Sequence, residues 1–310
     1  MSRIYEMGIC DIQRIALLTN PSVVGSKNAV KCAAIARQRF NDAGVDVASI
    51  QGKDMASARV LAKEMIDNDS IDALVLCGGD GVVSCALEAQ ANTNKPLGII
   101  PADSGSDLAR SLGIPNHPER AAEIIMRGFF TTTDLGRLTD SAGNTMWFGT
   151  IAGFGCDAQA ALIARETHPK IEALRYPMAA LKSLRHLVGH PTIITLDYDR
   201  VIEGDFAHVS VGNTPYYGQG MRMCPDANHH DGLLDITLMK PAPRYEMAAR
   251  LPLGYLRGIE TLPYASFEKA AHVRIEMPGE PITADGEFFG TSWAEVEALE
   301  GAGRFLVPRP

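Results

Sequence analysis

Three glycines surround one acid directly after an apolar run, in the sequence Leu-Cys-Gly-Gly-Asp-Gly-Val at 76–82. Glycine permits positive φ and lets a ligand approach main-chain N–H groups, and the helix predicted to follow would offer unpaired donors to a phosphate. The turn lacks the Gly-Lys-Ser/Thr of a Walker loop and the spacing of a dinucleotide fingerprint. Because phosphate oxygens repel a carboxylate, Asp80 suggests an intervening cation or a sugar hydroxyl. A tight turn capped by this acid is the competing interpretation.

A second polar segment, residues 103–107 (Asp-Ser-Gly-Ser-Asp), follows the next apolar run. The hydroxyls of Ser104 and Ser106 can donate hydrogen bonds to phosphate or base groups. Asp107 is predicted to be the N-cap of a short helix, and capping alone is the competing interpretation of the segment. Arg110 can either reach a phosphate or pair internally.

A loop rich in oxygen atoms covers residues 225–235, Pro-Asp-Ala-Asn-His-His-Asp-Gly-Leu-Leu-Asp. One carboxylate together with backbone carbonyl groups suits a hard cation such as Mg²⁺. The pair His229 and His230 raises the alternative of zinc. Adjacent histidines are expected to point apart in an extended chain, however, and no third nitrogen or sulfur ligand lies nearby, so magnesium is preferred.

Two more acids flank a glycine near the end of the chain, as Asp285-Gly286-Glu287. A tight turn would place both carboxylates on one side. One acid could then accept the proton of a substrate hydroxyl while the other orients a metal ion or a water molecule. A surface turn without chemistry is the competing interpretation.

The elements that must position these residues change character midway along the chain. In the first half, short apolar runs alternate with helical patterns, which predicts a parallel sheet covered by helices on both faces. The predicted strands cover 14–19, 45–50, 73–77 and 97–100, and the predicted helices cover 27–43, 56–66, 82–91 and 107–111. Ligands of such sheets gather at the carboxyl ends of the strands, where Asn20 and the two polar turns lie.

The second half is predicted to be β-rich, and the boundary falls near residues 134–139. The predicted strands cover 192–198, 206–212, 233–239, 271–277 and 281–284. One long helix is predicted at 171–188. Its apolar stripe and nearby basic residues would suit a membrane surface, although packing in a core is the preferred interpretation.

Composition narrows the class of partner. The chain has 310 residues and a net charge of −8, which argues against nucleic acid as a partner. It has no run of about 20 apolar residues that could span a membrane, and Glu6 and Asp11 interrupt any signal core at the start. Its six cysteines include no C-x-x-C pair, which indicates reduced, mostly buried thiols. We therefore expect a cytoplasmic protein.

In their order along the chain, these segments resemble the diacylglycerol kinase/sphingosine kinase catalytic family, especially its soluble bacterial members. The matching segments are Asn20-Pro21 with Gly25, Gly78 to Val82, Pro101 to Arg110, Gly212-Asn213 with Gly218 to Met221, Pro225 to Asp235, and Asp285 to Glu287. The chain departs from the family pattern where it carries Val82 in place of threonine, Asp103 in place of glycine and Ser106 in place of asparagine.

The resemblance implies an α/β N-terminal domain with a parallel sheet, NAD-kinase/diacylglycerol-kinase-like, and a β-rich C-terminal sandwich domain. It implies a nucleotide-binding domain at 1–136, completed by 294–310, and a domain at 137–293 that binds the lipid substrate and a metal ion. The implied activity is an ATP- and Mg²⁺-dependent transfer of phosphate to a lipid hydroxyl, with diacylglycerol as the favoured acceptor and phosphatidic acid as the product.

The resemblance also implies roles for individual residues. Glu287 and Asp285 would accept the proton. Mg²⁺ would be held by the carboxylate of Asp231 and the carbonyl groups of Asn228 and Leu233. The residues implied for ATP are Asn20, Gly78, Gly79, Asp80, Gly81, Val82, Ser104 and Asp107.

The implied partners are a nucleotide and a lipid, which the protein would meet at the inner face of a membrane as a peripheral protein. Homodimer formation stays open. The departures at Val82, Asp103 and Ser106 motivate an alternative, a catalytically weakened or non-catalytic homologue that binds lipid or nucleotide. A further alternative is NAD kinase, which shares the Gly-Gly-Asp-Gly turn, although the segments at 225–235 and 285–287 fit the lipid branch better.

Overall fold

The computed structural model describes residues 5–19, 26–102, 106–156, 158, 159, 188–243, 246, 250 and 258–309. The chain forms two compact units. The first consists of Met1–Leu135 and Glu300–Pro310, and the second consists of Gly136–Leu299. The domains predicted from sequence were 1–136 with 294–310, and 137–293.

The first unit is built on a parallel sheet. Its strands are β1 (Met7–Ile9), β2 (Arg14–Thr19), β3 (Asp46–Gln51), β4 (Ala73–Gly78), β5 (Leu97–Pro101) and the start of β6 (Phe129–Thr139). The parallel strands lie in the order β3-β2-β4-β5, and β1 pairs antiparallel with β6. Every residue of β4 and β5 is buried, as expected of continuous apolar strands in a sheet covered on both faces.

Five helices accompany this sheet in the described part of the first unit. They are α1 (Ser26–Asp42), α2 (Met55–Ile66), α3 (Asp80–Gln90), α4 (Asp107–Ser111) and α5 (Pro118–Met126). Helix α2 begins with a reciprocal cap, because Asp54 accepts the N–H of Ser57 at 2.7 Å while the Ser57 hydroxyl accepts the N–H of Asp54 at 3.0 Å. Helix α5 was absent from the sequence prediction, although Pro118 in its first turn is a typical start signal.

The second unit is predominantly antiparallel β-structure. Its strands are the end of β6, then β7 (Thr145–Phe148), β8 (Ile151–Gly155), β9 (His190–Leu196), β10 (Arg200–Phe206), β11 (His208–Gly212), β12 (Tyr216–Tyr217), β13 (Met221–Arg222), β14 (Leu234–Met239), β15 (Ala265–Ala270), β16 (His272–Ala284) and β17 (Glu287–Leu306). Strands β15, β14, β11, β8 and β16 are neighbours in that order, and β17 pairs with β16. The end of β17 returns to the first unit.

Two of the predicted elements need comment. The strands predicted at 271–277 and 281–284 are both present, but they are parts of one strand, β16, which has an irregularity between Met277 and Pro281. The helix predicted at 171–188 lies outside the described residues except for Val188. Among the described residues, no helix has the length and apolar character needed to cross a bilayer.

The core of the second unit forms because successive side chains along each strand point to opposite faces of the sheet. One face of the sheet is apolar, and its buried residues include Val209, Val211, Leu234, Ile236 and Leu238. The opposite face carries small and polar residues. A second buried cluster includes Met221, Met223 and Cys224. An α/β first unit with a parallel sheet and a β-rich second unit confirm the predicted fold class.

Candidate functional site

The glycine turn lies where expected, between the end of β4 and the start of α3. Gly79 is the N-cap of α3 with φ of −97°, and none of the three glycines of this turn has positive φ. The three glycines therefore do not use the positive φ that this residue type permits. Gly78 is needed for space instead, because a Cβ atom there would lie 2.6 Å from Cγ2 of Val82.

Val82 fills the space that Gly78 leaves. Its side chain is only 2% exposed, so it packs under the turn. Its main-chain N–H donates to the carbonyl of Gly79 at 3.0 Å and so helps to close the first turn of the helix. The contribution of Val82 to the turn is thus packing, where the family pattern places a hydroxyl.

Asp80 connects the glycine turn to helix α4. Its Oδ2 accepts the N–H of Asp107 at 2.8 Å, and its Oδ1 accepts the N–H of Leu108 at 3.0 Å. These donors belong to the first turn of α4, whose own N-cap, Ser106, makes no side-chain capping bond. The prediction that Asp107 is the N-cap is therefore wrong, because Asp107 is already helical and an acid from another helix caps α4.

The second polar segment is fastened to the same turn. The carbonyl of Gly78 accepts the N–H of Ala102 at 3.2 Å and the hydroxyl of Ser106 at 3.2 Å. Asn28, near the start of α1, donates from Nδ2 to the carbonyl of Ala102. The carboxyl ends of β4 and β5 are thus joined by hydrogen bonds to the starts of α1 and α4, as the parallel topology requires.

Asn28 was missed by the sequence prediction, and its position just after Asn20-Pro21 was the available signal. Asn20 itself and Ser104 lie outside the described residues. Asp107 is buried and pairs with Arg110, so the internal pairing foreseen for that arginine is present.

In the second unit, Asp285 and Gly286 form a two-residue hairpin turn between β16 and β17. Both have positive φ, of 48° and 77°, and Ala284 pairs with Glu287 across the turn. Asp-Gly is a typical sequence for this kind of hairpin, because its turn needs two residues in the left-handed region. Glu287 is therefore the first residue of β17, and it is half-buried.

The Asp285 side chain points inward and is held by the loop before β8. Its Oδ2 accepts the N–H of Gly149 at 2.9 Å, and its Oδ1 accepts both the N–H and the hydroxyl of Thr150, at 2.9 and 2.5 Å. Burial raises the pKa of the Asp285 carboxyl, and the hydrogen bonds from Thr150 and Gly149 act in the opposite direction. This acid is therefore built into the unit, unlike an acid of an ordinary surface turn.

Asn213 fastens the same loop from the other side. Its Nδ2 donates to the carbonyl of Gly149 at 2.9 Å, and its N–H donates to the carbonyl of Thr150 at 2.8 Å. Three distant segments thus meet at this point. Asn213 belongs to a matched motif but was assigned no role, and Thr150 was missed because a lone threonine between two strands carries no sequence signal.

The loop predicted to bind a metal ion holds an ammonium group. The Nζ atom of Lys269 lies 3.2 Å from Oδ2 of Asp235 and 3.6 Å from Oδ2 of Asp231, and it donates to the carbonyl of Asp226 at 3.0 Å. The other oxygen of Asp231, Oδ1, accepts the N–H of Leu233 at 3.1 Å. In the predicted metal ligand, Oδ1 thus accepts a hydrogen bond and Oδ2 lies at ion-pair distance from an ammonium group.

The ion pair of Asp231 with Lys269, as arranged, does not suit a Mg²⁺ ion at this carboxylate. Mg²⁺ bound about 2 Å from Oδ2 of Asp231 would lie within about 6 Å of the Lys269 ammonium, a repulsion on the order of a few kcal/mol before solvent screening. In the described ranges of the chain, no group of three or more His, Cys, Asp or Glu side chains could hold a metal ion. The roles predicted for Asn228, Asp231 and Leu233 stay predictions.

Burial of individual side chains at and beside this loop shifts the pKa of Asp235, Lys269 and His229. Burial raises the pKa of Asp235 to about 6, although Lys269 opposes the shift. Burial would lower the pKa of Lys269, but the hydrogen bond and charge of Asp235, with the charge of Asp231, outweigh it and raise that pKa.

The expectation that His229 and His230 point apart is wrong, because their ring centroids lie 4.4 Å from each other. Burial, with the charge of His230, lowers the pKa of His229 to about 4.

Two family models match the chain. The model of the diacylglycerol kinase catalytic domain matches residues 14–138, and that of the YegS C-terminal NAD kinase beta sandwich-like domain matches residues 150–307. The boundary between the matched regions falls near the boundary between the two units. The second description agrees with the predicted sandwich character of the C-terminal domain.

Relatives of known name cover nearly the whole chain. A diacylglycerol kinase of Mycobacterium tuberculosis is 39% identical over 300 residues, which are 96% of each chain. A diacylglycerol kinase of Bacillus subtilis is 26% identical over 286 residues, covering 90% of this chain and 91% of its own. The crystal structure of a diacylglycerol kinase from Bacillus anthracis superposes with a TM-score of 0.70 at 21% identity, covering 96% of this chain and 98% of its own, and it shows the shared fold.

Proposed function

This chain belongs to the diacylglycerol kinase family of lipid kinases, and we propose that it transfers the terminal phosphoryl group of ATP to a lipid hydroxyl. The proposed acceptor is diacylglycerol and the proposed product is phosphatidic acid. The observation that carries the proposal is the 39% identity to a diacylglycerol kinase across 96% of both chains.

We propose that the nucleotide phosphates bind at the carboxyl edge of the parallel sheet. Gly78, Gly79 and Gly81 keep side chains away from the main chain there, and the N-terminus of α3 favours negative charge. Asn20 and Ser104 are proposed to contribute from the adjacent loops. Mg²⁺ is proposed only as the ion that accompanies the phosphates of ATP, and no residue is assigned to it.

The role proposed for Asp80 is to position the second polar segment. Its two carboxylate oxygens accept the N–H groups of Asp107 and Leu108, so they fix the start of α4 relative to the glycine turn. Asp107 in turn pairs with Arg110. A nucleotide that touches the glycine turn would then meet a segment whose backbone is already in place, which lowers the entropic cost of binding.

We propose that Glu287 accepts the proton of the lipid hydroxyl. Asp285 is buried and accepts three hydrogen bonds from Gly149 and Thr150, so it is suited to holding the hairpin turn in place. Glu287 begins β17 directly after that turn and is only half-buried, so its carboxylate is the more accessible acid. Positioning and electrostatic stabilisation would supply most of the rate, as is general for phosphoryl transfer.

The lipid acceptor is proposed to be met at the inner face of a membrane by a peripheral, cytoplasmic protein. No nucleic-acid partner is proposed, since the net charge is −8. Whether a second copy of the chain takes part is a separate question that sedimentation of the purified protein would answer.

The test is transfer of labelled phosphate from ATP to diacylglycerol in mixed micelles, with Mg²⁺ present. Glu287→Gln should reduce transfer by at least about a hundredfold, in line with the usual contribution of a general base. The matched control is Glu295→Gln, which changes another half-buried acid on the same strand and should retain activity. Failure of the native protein to phosphorylate any lipid alcohol would contradict the proposal.

Two further measurements separate the alternatives. Calorimetry with millimolar ATP and Mg²⁺ distinguishes a kinase from a non-catalytic homologue, because absence of binding would favour the latter. Incubation with NAD and ATP tests the NAD kinase alternative, and formation of NADP would favour it.

A further inference from the structure

We propose that the ammonium group of Lys269 is the resident cation of the 225–235 loop, so that this loop is ordered without a divalent metal ion. The inference concerns how the loop is held and does not rest on the proposed lipid kinase activity. It predicts that the free protein has no Mg²⁺ site at this loop, although the loop carries the acids and carbonyl groups typical of one.

The position of Lys269 is set by strand pairing. Lys269 on β15 lies directly opposite Asp235 on β14, so both side chains project from the same face of the sheet. The pair is therefore brought together by the register of two regular strands and does not depend on the conformation of the loop. The strand register thus sets the position from which the ammonium group reaches the loop.

The loop contributes a carboxylate and a carbonyl oxygen to the same ammonium group. Asp231 approaches with Oδ2 at 3.6 Å, and the carbonyl of Asp226 accepts a hydrogen bond at 3.0 Å. Two carboxylates and one carbonyl are a ligand set that a hard metal ion would also accept. The lysine ammonium donates to the carbonyl and forms ion pairs with the two carboxylates, so a single positive charge lies among all three groups.

Other side chains donate to carbonyl groups at the start of this loop and just before it. Arg222 donates to the carbonyl of Pro225 at 3.1 Å, and the Thr237 hydroxyl donates to the carbonyl of Met223 at 2.6 Å. Side chains of the protein thus donate hydrogen bonds to these carbonyl oxygens, which a bound metal ion could otherwise have coordinated. The arrangement at Lys269 continues this pattern.

The test is thermal unfolding of the full chain without nucleotide, in chelator and in millimolar MgCl₂. The native protein should give the same Tm in both. Lys269→Met keeps most of the aliphatic stem but removes the charge, so its Tm should fall by several degrees in chelator and recover in part with MgCl₂ or CaCl₂. Lys269→Arg keeps a cation and should remain insensitive to both salts.

A matched control is Lys63→Met, which removes a lysine from an exposed pair with Asp67 in the first unit and should give no dependence on metal. Titration of MgCl₂ into the protein provides the second readout. Affinity should be at least about tenfold higher for Lys269→Met than for the native chain.

Two results would overturn the inference. One is saturable Mg²⁺ binding by the native protein that disappears in Asp231→Asn. The other is a Lys269→Met protein that gains neither stability nor affinity from divalent ions. If Lys269→Met does not fold, two other measurements test the inference. One is the MgCl₂ titration of the native and Asp231→Asn proteins, and the other is the thermal unfolding of Lys269→Arg.

Discussion

The hydroxyl of Thr150 donates to Oδ1 of Asp285 at 2.5 Å, across 135 positions of sequence. The N–H of the same threonine donates to the same oxygen at 2.9 Å. The contact ties the loop before β8 to the hairpin turn that precedes Glu287. An acid that looks like one of two equivalent carboxylates in the sequence is therefore a fixed part of the fold, and Glu287 follows it as the first residue of β17.

Replacing Thr150 with valine should test this division of roles. The change keeps the shape of the side chain but removes one donor to a buried carboxylate, so it should lower the free energy of unfolding by about 1–3 kcal/mol. Activity should fall through kcat more than through KM, because Glu287 loses its position while substrate contacts remain. Urea unfolding and steady-state kinetics measure the two effects.

The pH dependence of the same variant has a definite sign. The Thr150 hydroxyl lowers the pKa of Asp285, so its loss should raise that pKa further above the unfolded value. An acid with a raised folded pKa contributes stability below its unfolded pKa of 3.8 and loses it as pH rises through the folded value. The stability difference between native protein and Thr150→Val should therefore grow as pH increases. Thr150→Ser keeps the hydroxyl and should restore both the free energy of unfolding and its pH dependence. A Thr150→Ser protein as unstable as Thr150→Val would contradict the role of the hydroxyl.

Gly78 and Val82 should show strong energetic coupling. Alanine at position 78 would place Cβ 2.6 Å from a methyl group of Val82, so Gly78→Ala alone should cost about 1–3 kcal/mol of stability. The double variant Gly78→Ala/Val82→Ala has room for the new methyl group and should lose less than the sum of the two single changes. A double-mutant cycle by urea unfolding measures the difference, and additive effects would show that the contact relaxes freely.

Asp80→Asn should weaken nucleotide binding more than it weakens the fold. The amide has one acceptor oxygen, so one of the N–H groups of Asp107 and Leu108 loses its partner, at a cost of about 1 kcal/mol. The looser start of α4 should raise KM for ATP with a smaller change in kcat. The control is Asp54→Asn, which alters the cap of α2 and should leave KM for ATP as it is. Equal KM values for both variants would contradict the positioning role of Asp80.

His208 should make the protein sensitive to acid. The side chain is buried on β11, and burial lowers its pKa to about 4 from 6.5. Since the native state resists protonation, stability should fall as pH decreases from about 6.5 to about 4, by about 3 kcal/mol in total. His208→Asn should flatten this slope in urea unfolding measured across the window. His117→Asn, at an exposed position of the first unit, should leave it intact.

Much of the first unit could be predicted from its sequence, because local patterns specify it. Strand β4 is a continuous apolar run that ends in glycine, and the residues at 107–111 predict a helix that begins there, where α4 lies. The parallel topology then required the turns after β4 and β5 to be neighbours, without any knowledge of side chains. The sequence prediction does not include helix α5. It divides β16 in two because Pro278 and Gly279 are typical turn residues, although the strand continues through them with an irregularity.

The sequence by itself determined which residues could take part: the glycine turn, the Asp-Gly-Glu hairpin and the acid-rich loop all stand out by residue type and local spacing. Only the tertiary structure decided which groups each acid contacts, because Asp80 and Asp285 accept hydrogen bonds from distant segments and Asp231 forms an ion pair with Lys269 of β15. Thr150 and Lys269 carry no motif, and they gain their roles from strand register and burial. Contacts between distant segments depend on how strands are paired, and that pairing is a property of the whole chain.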